Sequence, residues 1–542
     1  MNGTSDRTRS RSVGRVADRV SRGWTISSHS IGVSVDALQR PIYRTDVTGT
    51  VTPAGEPPTG ARPDGAELDR SRLSVRLAAN SLVQVVGTVL ASAIGFVTFI
   101  VTARVLGPAI YGDLTAANAF LYVPTVLAEV GLSMVVVREI SADEASTEDV
   151  VGGSLPLRAA IGVATVTLSL LIALALPFNH RTTLAIVVGS PGAFFTVMTF
   201  AVQPVLQARL KMQWAVIATL VGRLATLGLT VAALTGGLGY LAVMGATVIG
   251  LGLTLALSVV FVRRLMRIRL RVDVSLWRRL IGPALFLALA LGTASITARV
   301  DTVLISLLKP SRDVGLYGAA YKFVDVSTLF ASAIGISLFP VFSRFFANDG
   351  RRARDLLQKS LDVVVAMSPP LVVLIIGLAA QIIHYSAGHE FSGAVPVLQL
   401  LALSLFFVFL RAPLSRFQIA AGAYRPLAWM MLAMLAFNVG LNLALIPTYG
   451  IKAAAVVNLA TEFLGFALQL GFVWKRLAFR PSVRYLPTVA GATVLMVVWF
   501  ALLPGVPIAA GIAGAVLYSV VLLWAPGVIR DLARDVLAGV RA

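Results

Sequence analysis

The chain has 542 residues, of which 57% are hydrophobic and 13% are charged, and its formal net charge is +20. A water-soluble domain carries about 25% charged residues, so this composition excludes a soluble globular protein. The absence of cysteine excludes disulfides, thiolate metal sites and cysteine nucleophiles. The basic excess lies in short segments between apolar stretches, which favours membrane topology over nucleic-acid binding.

Residues 1–77 differ in composition from the rest of the chain. They are rich in Ser, Thr, Arg, Gly and Pro and contain no long apolar run. No apolar core with a small-residue cleavage site follows the early arginines, so the segment does not read as a signal peptide. We predict a disordered basic tail that lies in the cytoplasm.

Apolar stretches of about twenty residues, the length that crosses ~30 Å of hydrocarbon as a helix, follow from Asn80 onward. We therefore predict an all-α integral membrane protein with about fourteen transmembrane helices. The predicted spans are 80–102, 113–137, 157–177, 184–206, 214–235, 240–262, 281–306, 315–342, 362–383, 393–415, 426–445, 452–473, 486–503 and 507–527.

The loop charges test this count of spans. Basic residues concentrate in every second loop, above all in the loop after span six, which holds Arg263, Arg264, Arg267, Arg269, Arg271, Arg278 and Arg279. The opposite loops hold only Arg104, Arg181, Lys309, Arg312 and Lys452. Because Lys and Arg loops stay in the cytoplasm, the pattern predicts an even number of spans with both termini cytoplasmic, in the cell membrane.

Two halves of the sequence resemble each other. Tyr111-Gly112 follows span one, and Tyr317-Gly318 follows span seven. A separation of six spans gives both copies the same orientation. We therefore predict two parallel six-helix bundles, residues 78–263 and 281–475, joined by a basic linker, 264–280, and followed by two C-terminal helices within 476–542.

Ionisable residues inside predicted spans are the first candidates for function, because each costs about 2.5–3.5 kcal/mol near the bilayer centre. Arg223, Arg299 and Arg411 are predicted to line a wet cavity and bind an anionic substrate, since the guanidinium fork matches phosphate oxygens. Glu129 is a further candidate for substrate binding or gating. The alternative for Arg223 and Arg411 is that each side chain extends to the membrane interface.

A second group of polar residues is predicted to bind a coupling ion or to act in gating. Asn438 and Asn442, like Asn458 and Glu462, are four residues apart and share a helix face. Their oxygens, with those of Asp301, suit a hard cation such as Na⁺; hydrogen bonding between helices is the alternative. Lys322 and Asp325 are three residues apart and are predicted to form a structural ion pair. No catalytic residue, metal site or cofactor is expected, apart from coupling to Na⁺ or H⁺.

Several motifs, in their order and spacing, resemble the polysaccharide-biosynthesis flippases, which belong to the superfamily of multidrug/toxin exporters and lipid II flippases. The motifs are Asn80-Ser-Leu, Ala103-Arg104-Val-Leu-Gly107, Gly131-Leu, Arg138-Glu-Ile-Ser141, Arg299-Val-Asp301, Val314-Gly-Leu-Tyr-Gly-Ala-Ala-Tyr-Lys322 and Ile446-Pro-Thr-Tyr-Gly450. The resemblance covers residues 78–530. The chain departs from the family pattern in its long leader and in Ala453, where Gly is common.

The resemblance implies a V-shaped pair of bundles that move an oligosaccharide on a polyprenyl diphosphate from the cytoplasmic to the outer leaflet by alternating access. The implied partners are the lipid-linked anionic oligosaccharide, membrane lipids and glycosyltransferase or polymerase machinery; nucleic acid is not expected. Three alternatives stay open: an ion-coupled drug or metabolite antiporter of the same superfamily, a membrane polysaccharide polymerase, and a non-transporting scaffold.

The first testable prediction concerns the basic tail. Deletion of residues 2–70 should leave transport unchanged, because the tail lies outside the repeat that is expected to form the transport path. Transport by the truncated and full-length proteins, compared at equal abundance in vesicles, checks this expectation. A truncated protein that is abundant but inactive would contradict it.

Overall fold

A computed structural model describes residues 63–142, 147–209, 211–267, 270–348, 350–502 and 507–524. The first 62 residues of the predicted tail and Arg269 lie outside this part of the chain. Residues 73–542 form one compact unit. The described residues are helical throughout, with no β-strand among them.

The helices are numbered here in chain order. They are α1 Pro63–Ala142, α2 Thr147–Ala175, α3 His180–Ala208, α4 Met212–Thr235, α5 Gly239–Leu265, α6 Val274–Leu308, α7 Ser311–Asn348, α8 Gly350–Gly377, α9 Ala379–Ser386, α10 Val395–Ala420, α11 Tyr424–Tyr449, α12 Ile451–Arg476, α13 Leu486–Leu502 and α14 Pro507–Trp524. A short 3-10 helix, His389–Ala394, lies between α9 and α10.

Ten stretches of the described chain are long and apolar enough to cross a membrane, and two shorter apolar helices follow them. The first stretch, Val83–Ser133, has 51 residues, which is about 75 Å of helix and enough for two crossings. With that stretch counted twice, and with α6, α13 and α14, the helices agree with the predicted count of about fourteen. The chain is a multi-pass membrane protein.

Helix α1 makes its two crossings without a loop. The backbone bends at Gly107, whose φ of 69° and ψ of 172° are not helical, and Pro108 follows. This conformation is open only to glycine, because a Cβ would clash with the backbone. The helix also begins at Pro63, inside the segment predicted as tail, because proline favours the first helical position and Ala66 and Glu67 are strong helix formers.

Two further predicted boundaries differ from the structure. Helix α6 begins inside the predicted linker, because Asp273 caps it by accepting hydrogen bonds from the N–H groups of Ser275 at 2.9 Å and Leu276 at 3.0 Å. The Ser275 hydroxyl and these N–H groups also lower the pKa of Asp273. The span predicted at 362–383 ends earlier, since α8 stops before Leu378, and α9 continues in its place.

The packing of the helices repeats with an offset of six spans. Helix α2 packs on α3 as α8 packs on α10, and α3 packs on α5 as α10 packs on α12. The contact of α4 with α5 likewise corresponds to that of α11 with α12. The final pair, α13 and α14, packs on α8. We call α1–α5 the first half and α6–α12 the second half.

The two halves meet at the ends that lie opposite the basic loops. A Cβ built at Gly112 of α1 would collide with the carbonyl oxygen of Ser311, and one built at Gly315 of α7 would collide with that of Pro108. Only glycine allows this approach of two backbones. The sequence repeat pairs Gly112 with Gly318, but the glycine that faces it is Gly315.

Polar contacts surround this meeting point, which we call the closed end. Buried Asp113 accepts hydrogen bonds from Asn179 at 2.8 Å, Thr182 at 3.0 Å and Ser311 at 2.5 Å. Arg104 donates to the carbonyl oxygens of Tyr385 at 2.5 Å and Ser386 at 3.1 Å, at the end of α9. The contacts of Asp113 and Arg104 therefore both join the first half to the second.

The second testable prediction is that Gly112→Ala destabilises the protein by about 1–3 kcal/mol, because its methyl group has no room at the closed end. Gly245→Ala on α5 is the matched control, since nothing lies within 4 Å of its Cβ position. Thermal unfolding in detergent should show a lower melting temperature for Gly112→Ala only. Equal melting temperatures for the two variants would show that the backbones do not meet as described.

Candidate functional site

A buried carboxylate lies where four helices of the second half converge. Asp301 of α6 is 1% exposed. It accepts hydrogen bonds from the Tyr317 hydroxyl at 2.9 Å, from Asn442 Nδ2 at 2.8 Å and from Asn458 Nδ2 at 3.4 Å. These partners belong to α7, α11 and α12, so the carboxylate ties together helices that are distant in sequence.

A second layer of amides lies behind Asp301. Asn442 Nδ2 also donates to Asn438 Oδ1 at 3.1 Å, and Asn438 Nδ2 donates to Thr461 Oγ1 at 3.3 Å. Among the described residues, the Oδ1 atom of Asn442 is buried without a hydrogen-bond partner. We call Asp301, Tyr317, Asn438, Asn442 and Asn458 the Asp301 cluster.

Four residues of the predicted coupling group are thus together, and the fifth is not. Glu462 lies one turn beyond Asn458 on α12 but forms an ion pair with Arg411 of α10. The sequence reading missed Tyr317 and Thr461. Tyr317 was noticed only as part of the repeat, although a tyrosine soon after the turn that follows Asp301 is well placed to donate to it.

Arg299 lies between the two halves. Its Nη2 atom is 3.1 Å and 3.0 Å from the two carboxylate oxygens of Asp325 on α7. Its guanidinium group lies 5.6 Å from the ring centre of Tyr122, on α1, and 5.5 Å from that of Tyr321, on α7. The side chain keeps 29% of its surface exposed. Arg299 therefore touches both halves and still reaches solvent.

Arg299 and Asp301 do not share a cavity, although they are two residues apart. Helix α6 is continuous from Val274 to Leu308, so the two side chains leave it on different faces. Arg299 points toward the first half, whereas Asp301 points into the second half.

The predicted ion pair between Lys322 and Asp325 does not form in the described structure. Asp325 pairs with Arg299 instead, because the longer and planar guanidinium of the neighbouring helix reaches both carboxylate oxygens. Lys322 makes no hydrogen bond or ion pair in the described part of the chain. It interacts electrostatically with Asp325, Arg299 and Arg223, so it is a cation without a partner of its own.

Arg223 belongs to α4 of the first half and is solvent-exposed. Its Nη1 atom lies 4.0 Å from the position of a Cβ at Gly95 of α1. Since the charge of Arg223 also acts on Lys322 of the second half, cationic groups from both halves share one region. We call Arg223, Arg299 and Lys322 the cationic region.

Arg411 does not belong to the cationic region. Its guanidinium pairs with the carboxylate of Glu462, and each side chain is 15% exposed. The Nε atom of Arg411 is buried without a partner. Both residues line a cavity of about 250 Å³ inside the second half, whose walls come from α6, α7, α10, α11 and α12.

Glu129 lies in the first half, close to an arginine that the sequence reading missed. Arg158 of α2 is 1% exposed and acts electrostatically on Glu129. Its Nη2 atom donates to Ser133 Oγ at 3.1 Å, while Nε and Nη1 are buried without a partner. The signal was available, since Arg158 falls inside the predicted third span, where a charge needs a partner.

The chain matches the family described as "Polysaccharide biosynthesis protein" over residues 77–346 and the family described as "MatE" over residues 287–448. Among curated proteins it is similar to the probable flippase AglR of Haloferax volcanii, with 24% identity over 254 residues, 44% of this chain and 52% of AglR. An uncharacterized membrane protein of Methanocaldococcus jannaschii is 23% identical over 37% of this chain and 40% of its own length. The matches thus span about half of these relatives.

Solved structures show the same fold. The inward closed conformation of the lipid II flippase MurJ has a TM-score of 0.68 at 15% identity, covering 81% of this chain and 98% of MurJ. An inward-facing multidrug resistance MATE transporter has a TM-score of 0.57 at 17% identity, covering 74% and 98%. Apart from the uncharacterized archaeal protein, these relatives are named as flippases or transporters, and none is named as an enzyme.

Proposed function

We propose that this chain, which belongs to the superfamily that unites polysaccharide flippases with multidrug exporters, moves a polyprenyl-diphosphate-linked oligosaccharide from the cytoplasmic to the outer leaflet. The observation that supports this most directly is the cationic region. Arg299 touches both halves, Lys322 has no partner in the described part of the chain, and Arg223 approaches from the first half.

The cationic region suits a diphosphate better than it suits a cationic drug. A diphosphate offers several anionic oxygens, which can take Arg299 away from Asp325 and bind Lys322 at the same time. The guanidinium of Arg299 lies over the rings of Tyr122 and Tyr321, and these contacts restrict its orientation while its N–H groups can still bind phosphate. Because the cations come from both halves, one bound anion can bridge them, and motion of the halves then moves the anion.

Transport also requires the closed end to separate. The contact of Gly112 with Gly315 and the hydrogen bonds of Asp113 and Arg104 join the halves opposite the basic loops. Under the predicted orientation, this end faces the outside. We propose that substrate enters from the cytoplasmic side and leaves when these contacts open, which is alternating access between two halves. Glycosyltransferases that build the glycan are the proposed functional partners.

The Asp301 cluster is proposed to bind the coupling ion, Na⁺ or H⁺. A carboxylate and amide oxygens are the ligand types of a hard cation. Asn442 and Asn458 donate Nδ2 to Asp301, so binding of Na⁺ would require them to turn their oxygens toward the ion. The Oδ1 atom of Asn442 has no donor among the described residues. When bound, the ion would neutralise Asp301 and so change the interactions of four helices. This cluster is also the observation that favours the second candidate, an ion-coupled antiporter of a drug or metabolite.

The third testable prediction is that Arg299→Ala lowers the initial flipping rate by about tenfold or more, because it removes charged hydrogen bonds worth about 1.5–3 kcal/mol. Arg299→Lys should be intermediate, since lysine keeps the charge but lacks the fork. The assay follows a fluorescent polyprenyl-diphosphate oligosaccharide in vesicles and scores its exposure to an impermeant quencher.

Arg271→Ala is the matched control, because this arginine also pairs with an aspartate, Asp149, but lies outside the spans and is largely exposed. It should flip at the wild-type rate. Wild-type flipping by Arg299→Ala would refute the role of the cationic region. Export of a lipophilic cation such as ethidium without any lipid flipping would instead favour the antiporter.

The fourth testable prediction is that Asp301→Asn removes the dependence of transport on the coupling ion, because the amide cannot bind a cation or a proton as the carboxylate does. Initial rates would be measured with a Na⁺ gradient, a K⁺ gradient and a pH gradient. Asp362→Asn is the control, since Asp362 lies on α8 and bonds to Gln358 outside the cluster. A variant at Asp301 that keeps the wild-type response to the gradients would contradict the proposal.

A further inference from the structure

We propose that the cavity of the second half binds the glycan itself, as an extended oligosaccharide with a carboxylate-bearing sugar that pairs with Arg416. The inference rests on the proposed function, because it assigns a site to the sugar part of the same lipid-linked substrate. It narrows the expected anionic oligosaccharide to a largely linear glycan with a carboxylate on one sugar, in addition to the charge of the diphosphate.

The dimensions of the cavity support an extended ligand. It encloses about 250 Å³, which is less than the ~300–1,000 Å³ of sites for whole drug-sized molecules. Along α7 it reaches from Tyr321 to Gly335, a distance of about 21 Å at the helical rise. A small volume over such a length describes a narrow groove. Such a groove has room for a short stretch of a linear glycan, which fits its shape better than a branched one does.

The walls of the groove are polar at many points. Hydroxyl groups of Thr297, Thr328, Ser332 and Ser404 line it, together with the amide of Asn458. Hydroxyls and amides both donate and accept hydrogen bonds, as sugar hydroxyls do. The hydroxyls of Thr297, Thr328 and Ser404 donate to carbonyl oxygens of their own helices. Each hydroxyl oxygen can still accept a hydrogen bond from a sugar hydroxyl, which a polyprenyl tail cannot donate. The lining therefore favours the glycan over the lipid.

The charges of the groove favour an anion. Arg411 and Glu462 neutralise each other, whereas Arg416 of α10 has no hydrogen-bond or ion-pair partner in the described part of the chain. Its side chain lies against Gly335, where a Cβ would come within 3.2 Å of Arg416 Nε. A sugar carboxylate would supply the missing partner.

The groove also adjoins the proposed diphosphate site. Tyr321 lines the groove, and the guanidinium of Arg299 lies 5.5 Å from the centre of its ring. A diphosphate at Arg299 would therefore deliver the attached sugars to the end of the groove at Tyr321. The carboxylate-bearing sugar would lie further along the chain, near Arg416.

The fifth testable prediction uses the absence of cysteine. Ser332→Cys introduces one thiol on the groove wall, and its reaction with a charged maleimide is followed in nanodiscs. The probes are polyprenyl diphosphate with a linear tetrasaccharide that contains one hexuronic acid, the same lipid with that acid reduced to a neutral sugar, and the sugarless lipid. The acidic glycolipid should slow labelling about tenfold more than the neutral one, as expected for a charged hydrogen bond.

The sugarless lipid should not slow labelling, and Val272→Cys, in an exposed linker position, should be unaffected by all probes. Arg416→Ala should abolish the preference for the acidic glycolipid, and Arg416→Lys should retain most of it, which excludes misfolding as the cause. Equal protection by the sugarless lipid, or an acid preference that survives Arg416→Ala, would overturn the inference. Flipping is measured separately. Protection of the thiol without flipping would refute the proposed transport function but would still support glycan binding in the groove.

Discussion

The cost of placing charge inside a bilayer determines how this protein is built. Every described charge within the spans either has a compensating group or lies where water can reach it. The carboxylate of Asp301 is stabilised by hydrogen-bond donors from three other helices. Arg299 is paired with Asp325 and flanked by rings, and yet remains partly exposed. The buried carboxylate therefore fixes helices in place, while the exposed cations remain available for an external anion.

The two halves follow one packing scheme but have different chemistry. Equivalent helix pairs contact each other in both halves, yet the Asp301 cluster and the groove with Arg411 belong to the second half only. The first half contributes Arg223 and Tyr122 from its surface and keeps Arg158 inside. The same packing scheme thus surrounds a buried polar cluster in the second half only, and both halves contribute residues to the region where they meet.

Hydrophobic length and loop charge were sufficient to predict the helices, because each span is set by the thickness of the bilayer. Spacing by four correctly placed Asn438 beside Asn442 on one helix face. The spacing could not show which face of a helix packs on which neighbouring helix. Glu462 was therefore grouped with Asp301, although it pairs with Arg411. The pairing of Asp325 with Arg299 likewise depends on a neighbouring helix. The spacing of residues within α7 cannot predict a partner on another helix. Arg158 was missed because it lies at the edge of a predicted span.

The hydrogen bonds of Arg104 at the closed end are made to the terminus of a short helix. The carbonyl oxygens of Tyr385 and Ser386 are the last in the eight-residue helix α9, and no later turn of that helix can bond to them. Arg104 therefore completes a helix terminus at the membrane surface, where solvent can take over the same task at little cost. Under the proposed alternating access, opening of this end would replace the guanidinium of Arg104 by water at these two carbonyl oxygens, so the contact of Arg104 would add little to the energy of opening.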